Sequence, residues 1–339
     1  MVGERLTAQL LAGPPARDPV AVAERLLAIQ GQDPRGARLA VRARSEGLSA
    51  ADVDHALSED RTLLITWLNR GTLHLVRSED YPWLHALTSP PLLTGNARRL
   101  GQEGVTPAAA ERGVAVVERA LAADGPLTRQ ELRERITAAG VRTEGQALVH
   151  ILMLASLRGL VVRGPMIGSE HAYALVRDWL GEHGPVERDV ALAELARRYL
   201  AGHGPADERD LVRWSGLPLR DARAGLAAIA PELVERGDGL VDVARRAPPS
   251  DPPPRLLGSF EPVLLGWRSR EPLLGTHGQT LVTVNGVFRP FALVRGRAVA
   301  TWSLRDGRVA IEPLRRLARA DRAALEADAH DVVRYLGLS

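Results

Sequence analysis

The segment Leu27-Ala28-Ile29-Gln30-Gly31-Gln32-Asp33-Pro34-Arg35 sets two carboxamides two residues apart, at what reads as a junction between helices. Gly31 is suited to end the first helix, Asp33 to cap the next, and Pro34 to fill its first turn. Within one continuous helix, residues two apart diverge by about 200°. At a junction, Gln30 and Gln32 can instead project into one cleft. A glutamine carbonyl can hold a water, and its amide can donate to a phosphate or a base edge. The plainer reading is a helix–turn–helix cap with two exposed glutamines, and spacing alone does not decide between them.

Arg35, Arg38 and Arg42 follow at i, i+3 and i+7 of the next helix. Beside the junction such a stripe could grip phosphates, or it could be an ordinary solvated face. His74 alternates with apolar neighbours in Thr72-Leu73-His74-Leu75-Val76. It is either a second candidate for lining a cleft or a hydrogen-bonded strand histidine.

Composition removes whole classes of chemistry. The 339 residues include no cysteine, so disulfides, iron–sulfur clusters, thiolate zinc sites and cysteine nucleophiles are excluded. All 44 basic side chains are arginine, so no side chain can form a Schiff base. No HExxH occurs and no other histidine builds a metal set, so no metal is expected. No phosphate-binding glycine loop or GxSxG elbow is present either, and no organic cofactor is implied. Net charge is only +3, but residues 251–320 carry 11 Arg against five acids, which hints at a polyanionic partner. No apolar window approaches a membrane span and no signal peptide is evident, so a cytoplasmic, nucleoid-associated protein without membrane contact is expected.

The elements that must position these residues repeat one order. Helices are expected near 18–30 and 34–45, with a third opened by Ser49. The runs Leu63–Leu68 and Thr72–Val76 then meet at Asn69-Arg70-Gly71. A capping box at Thr128–Glu131 opens a helix to about Ala139. A second helix over 144–158 and the runs Leu160–Arg163 and His171–Val176 complete that unit. A third helix–turn–helix spans 207–229, followed by the runs Glu232–Arg236 and Leu240–Ala244 about Gly237-Asp238-Gly239. Five prolines in Arg246–Pro254 predict a stiff linker. Beyond it, Leu281–Asn285, Val287–Val294, Ala298–Leu304 and Val309–Pro313 predict an antiparallel meander or small barrel, closed by a helix near 318–336.

Gln30-Gly31-Gln32-Asp33-Pro34-Arg35, Thr66-Trp67-Leu68-Asn69-Arg70-Gly71-Thr72-Leu73-His74-Leu75-Val76 and Gly286-Val287-Phe288-Arg289-Pro290 together resemble the winged-helix DNA glycosylase family, in its azinomycin-resistance branch. The likeness runs from about residue 5 to residue 336. It implies an α+β chain of three tandem winged helices in a C-shape with a C-terminal antiparallel β-barrel-like module. The corresponding divisions are 1–100, 101–180, 181–245, a linker at 246–254, and 255–339. It also implies excision of bulky N7-alkylated guanines from double-stranded DNA, unhooking of interstrand crosslinks in some members, and a role in repair or self-resistance. Gln30 and Gln32 fall on the family's catalytic Gln-x-Gln, and Gly31 stands where the family is often bulkier. Without lysine the enzyme would be monofunctional, and a monomer is expected. Two other readings fit tandem winged helices: a non-catalytic DNA-binding regulator and a drug-sequestering resistance protein.

Overall fold

The computed structural model describes residues 1–236, 238–244 and 246–338, and the chain forms two compact units, Met1–Val53 with Leu192–Ser339, and Asp54–Ala191. Along the chain come α1 (Val2–Ala8), α2 (Pro19–Leu26), β1 (Ile29–Gln30), α3 (Pro34–Arg42) and α4 (Ala50–Ser58). The next stretch holds β2 (Leu63–Leu68), β3 (Thr72–Arg77), α5 (Tyr81–Thr88), α6 (Leu93–Gln102), α7 (Pro107–Asp124), α8 (Arg129–Ala138), α9 (Ala147–Leu157), β4 (Val161–Ile167), β5 (Glu170–Leu175) and α10 (Val176–Leu180). The last holds α11 (Arg188–His203), α12 (Glu208–Ser215), α13 (Leu219–Ala228), β6 (Leu233–Glu235), β7 (Val241–Val243), β8 (Arg255–Leu257), α14 (Glu271–Leu274), α15 (Gly278–Leu281), β9 (Phe291–Val294), β10 (Arg297–Arg305), β11 (Arg308–Pro313) and α16 (Arg319–Tyr335). Among the described residues no helix is long and apolar enough to cross a membrane.

In the 54–191 unit the strands run in the order β3-β2-β4-β5, all antiparallel. Thr128 caps α8 by accepting from the Glu131 amide while the Glu131 carboxylate accepts from the Thr128 amide, the reciprocal pattern the sequence announces. Helix α9 is apolar on nearly every side and buried, with Leu148, Ile151, Leu152 and Ala155 all sealed from solvent. Its polar outlier His150 pairs with Asn96 of α6 at 2.8 Å.

In the other unit, Asp207 caps α12, Gly216 turns in the left-handed region, and α13 follows with Pro218 as its N-cap. The hairpin β6–β7 completes the expected order, although Gly237, part of its expected turn, lies outside the described residues. The C-terminal sheet runs β11-β10-β9-β8 and, among the described residues, does not close into a barrel. Its first expected strand is not found among the described residues: Leu281 ends the short helix α15, and an isolated bridge, Val282 to Phe288, joins that stretch to the next. The fourth strand comes instead from Arg255–Leu257, directly after the prolines. One face of this sheet packs on α16 through Trp302, Val299, Leu325 and Val332, and Leu39 of α3 belongs to the same core.

Candidate active site

Helix α2 starts where expected, with the Asp18 carboxylate accepting from the Ala21 amide at 2.8 Å, but it stops at Leu26, four residues before Gln30. Gly31 is therefore not its terminator. Leu27 turns the chain at φ 63, ψ −45, and the Ala28 amide donates to the Leu26 carbonyl at 2.8 Å. That is the classic γ-turn, a rare and strained three-residue reversal. A fully buried leucine holds it without the steric freedom of glycine, at a cost of about 1–3 kcal/mol. The chain leaves this turn extended at Ile29–Gln30, bends at Gln32, and enters α3 under the Asp33 cap, whose carboxylate accepts from the Arg35 amide at 3.0 Å. Gln30 thus lies in extended backbone and Gln32 at the bend that follows, so the two glutamines do not share a helix.

Gln30 is 6% exposed, yet its carboxamide has no hydrogen-bond partner among the described residues and is not sealed from solvent. A neutral amide in a mostly desolvated setting, open at its polar end, can hold a water or a ligand atom. Gln32 is exposed. The expectation of two exposed glutamines thus fails at Gln30.

The helix behind this segment is fixed from below. A Cβ on Gly36 would lie 2.4 Å from the Ser259 carbonyl oxygen, so α3 meets the 258–261 strap at a separation only glycine permits. Arg44 is wholly buried, donating to the Gln9 carbonyl at 2.8 Å, the Ala40 carbonyl at 2.9 Å and the Glu261 carboxylate at 2.5 Å.

The arginine stripe divides by depth. Arg35 is exposed. Arg38 is mostly buried and returns one guanidinium nitrogen to the Pro34 carbonyl at 2.9 Å. Arg42, expected as a phosphate contact, is instead a brace with a side chain 1% exposed. It donates to the Asp331 carboxylate at 2.8 Å, to the Leu256 carbonyl at 3.1 Å, and to both the carbonyl and the carboxylate of Asp328. Four of its five N–H donors are taken up by α16 and β8, and its burial keeps the guanidinium from a phosphate.

In the other unit, His74 lies on β3 opposite Thr66 of β2 and is 2% exposed. Its Nδ1 is 2.9 Å from the Thr72 carbonyl oxygen. Burial, reinforced by the Arg70 charge, pushes its pKa down to about 3, so the ring is neutral near pH 7. Around it the hairpin buries the Thr66 hydroxyl and both polar atoms of the Asn69 side chain without partners. These orphans were not foreseen: Thr66 and Asn69 looked like strand and turn residues, and only their burial sets them apart.

The family model described as DNA glycosylase AlkZ-like matches residues 23–335. The chain is 28% identical over 343 residues to an interstrand DNA cross-link repair glycosylase of Streptomyces sahachiroi, covering 94% of this chain and 91% of that protein. Its structure is similar to that of Streptomyces sahachiroi DNA glycosylase AlkZ, with a TM-score of 0.78 at 25% identity over 100% of this chain and 96% of the other. A match that takes in the γ-turn, both glutamines, the histidine hairpin and the scaffold sheet places the chain in the AlkZ-like DNA glycosylase family.

Proposed function

We propose that the chain is a monofunctional hydrolase that removes bulky, cationic N7-alkylguanines from double-stranded DNA and unhooks interstrand crosslinks built on the same linkage. The observation that carries this reading is the open carboxamide of Gln30, set beyond a strained turn in a family of DNA glycosylases. The relative named for cross-link repair supports the crosslink part. A place in repair, or in self-resistance to a DNA-alkylating natural product, follows from such a substrate.

Alkylation at N7 leaves the guanine cationic, so it departs without a general acid. The C1′–N9 bond breaks with its electron pair going to the base, which becomes neutral. Water adds to C1′ and loses its proton to solvent. What the protein must supply is a positioned water and electrostatic support for an oxocarbenium-like sugar. Gln30 and Gln32 fill that role through their carbonyl oxygens, which accept from the water and face the sugar cation. Glutamine is a poor Brønsted base, and this leaving group makes a strong one unnecessary. Arg35 is the candidate phosphate contact of the stripe, and His74, kept neutral by its depressed pKa, takes no part in proton transfer. With no lysine in the chain, no side-chain imine forms and the abasic strand stays intact. A single copy of the chain suffices for this chemistry.

The test is base release from duplexes carrying N7-methylguanine, a bulky intercalator adduct, or an N7–N7 crosslink. Free modified guanine with strands nicked only after alkali is the expected result. No release from any of the three would overturn the reading. Sequence-selective binding of unmodified DNA would then identify a regulator, and tight binding of free drug a sequestering protein.

A further inference from the structure

The C-terminal sheet has two edges with different surroundings. β8 forms one, and there Arg42 of α3 donates to the Leu256 carbonyl. β11 forms the other, with no strand beside it among the described residues. The register decides which backbone groups this second edge presents. Arg305 pairs with Arg308 across the turn at Asp306 and Gly307, and the Leu314 amide donates to the Val299 carbonyl at 2.9 Å. In an antiparallel ladder, hydrogen-bonded pairs alternate with non-bonded ones. Arg308, Ala310 and Glu312 therefore turn their peptide groups toward β10, while Val309 and Ile311 turn theirs outward. Pro313, the next outward position, has no N–H to offer and ends the usable edge.

Beside that edge runs a groove of about 590 Å³ between β11 and α16. Its floor is apolar: Val309 and Ile311 of the strand, Ala329 and Val333 of the helix, all half-buried. Its rim is basic. Arg308 and Arg322 line the groove, and Arg305, Arg315, Arg316 and Arg319 lie in the same stretch of chain. All six are exposed, and none has an ion pair among the described residues. The acids nearby are fewer: Asp306, Glu312 and Glu326, with Asp321 already held by Arg295 at 3.0 Å. Open strand backbone over an apolar floor suits an extended peptide better than a phosphate chain, and the unpaired arginines select an acidic one.

We infer that this groove takes an extended acidic peptide of another protein, added to the sheet as a strand beside β11. The outward peptide groups of Val309 and Ile311 hold its main chain. Side chains alternate along an extended strand, so its apolar residues fill the groove while the intervening carboxylates fall on the opposite face. There Arg305 and Arg308, directly opposed across the hairpin, stand side by side to receive them. The inference goes beyond the proposed reaction. It gives the chain a docking point for a partner at the sheet edge opposite the one that meets α3, and it holds whether or not the chain excises bases.

The test is fluorescence anisotropy of the full chain with a fluorescein-labelled peptide of about eight residues in which Asp and Ile alternate. Saturable binding at about 1–100 μM is expected. Arg308→Glu/Arg322→Glu should weaken it about tenfold or more, and so should regrouping the same Asp residues at one end of the peptide. N-methylation at alternate peptide amides can be made in two sets. One set should abolish binding, and the other should change it less than about threefold, because only one row of amides faces β11. Both substituted arginines are exposed, so an unchanged melting temperature shows that the variant folds, and its base release from duplex DNA should stay within about twofold of wild type. No saturable binding, an affinity unmoved in the variant, or equal sensitivity to the two methylated sets would overturn the inference. Competition by unmodified duplex with the same dependence on Arg308 and Arg322 would also overturn it and mark a nucleic-acid surface. Self-association of the chain that the variant abolishes would overturn it in favour of a second copy. Peptide binding without base release defeats the glycosylase and leaves the docking groove, and base release without peptide binding does the reverse.

Discussion

Residues 27–35 and residues 66–76 carry the two densest motifs of the chain, and they treat their polar side chains in opposite ways. The first segment strains its backbone at Leu27 and leaves the Gln30 carboxamide open. The second keeps a regular antiparallel register and buries His74 as a neutral ring bonded to Thr72. The contrast separates a segment organised to present a group from one organised to enclose a group. Histidine is the usual acid–base candidate, yet burial removes it from the titration range. In the proposed reaction the cationic base leaves without an acid, and Gln30, which has no titration at all, is the group assigned to act there.

The sharpest way to break this comparison is to remove what holds the first segment's helix. Arg42→Ala leaves the Asp328 carboxylate buried without its main partner, with Arg255 at 2.9 Å as the remaining cation. The expected loss is about 3–5 kcal/mol, read from the denaturant midpoint. A loss below about 0.5 kcal/mol would return Arg42 to the solvated face. Acid is the next lever. His74 and His203, the latter stacked on Tyr199 with centroids 4.8 Å apart, both titrate near 3 when folded, against 6.5 when unfolded. Between those values the unfolded chain binds more protons, so stability is full above about pH 6.5 and falls as pH drops toward 3. The expected slope below pH 6 is about 1.4 kcal/mol per pH unit for each ring. Denaturant midpoints at pH 7.5 and 5.0 measure it, and base release should show no inflection near 6.5. A smaller effect belongs to the helix cap, where Asp33→Ala should cost about 1 kcal/mol in melting experiments. Arg35→Ala should be the mildest: folding unchanged, DNA affinity reduced, and the salt dependence of binding shallower by about one ion.

Much of the architecture was legible because local signals were strong. Asp33-Pro34, Thr128 with Glu131, and Asp207 with Asp210 each open a helix where their chemistry says one should start. The end of α2 was not legible, because it lies at a leucine rather than a glycine, and only tertiary packing can hold Leu27 at φ 63. Depth along α3 was hidden for a similar reason: the partners of Arg42 sit on α16 and β8, far along the chain, so a periodic arginine row looked solvent-facing. In the C-terminal module, alternation at Leu281–Asn285 suggested a strand, but the chain there makes a helical turn and then a hairpin tip. A three-residue strand after prolines carried too little pattern to be seen. Of the candidate site, spacing shows two glutamines at a helix junction and only the family resemblance gives them a role, whereas the openness of one and the neutrality of His74 depend on burial.

In the proposed reaction the two carboxamides position the water that hydrolyses the glycosidic bond. Its most direct test is single-turnover release of a bulky N7-alkylguanine from duplex DNA by wild type, Gln30→Ala and Gln32→Ala. Each substitution should slow release by about 100-fold or more while folding and duplex affinity stay near wild type. Release at the wild-type rate by both variants would contradict it and place the chemistry elsewhere in the chain.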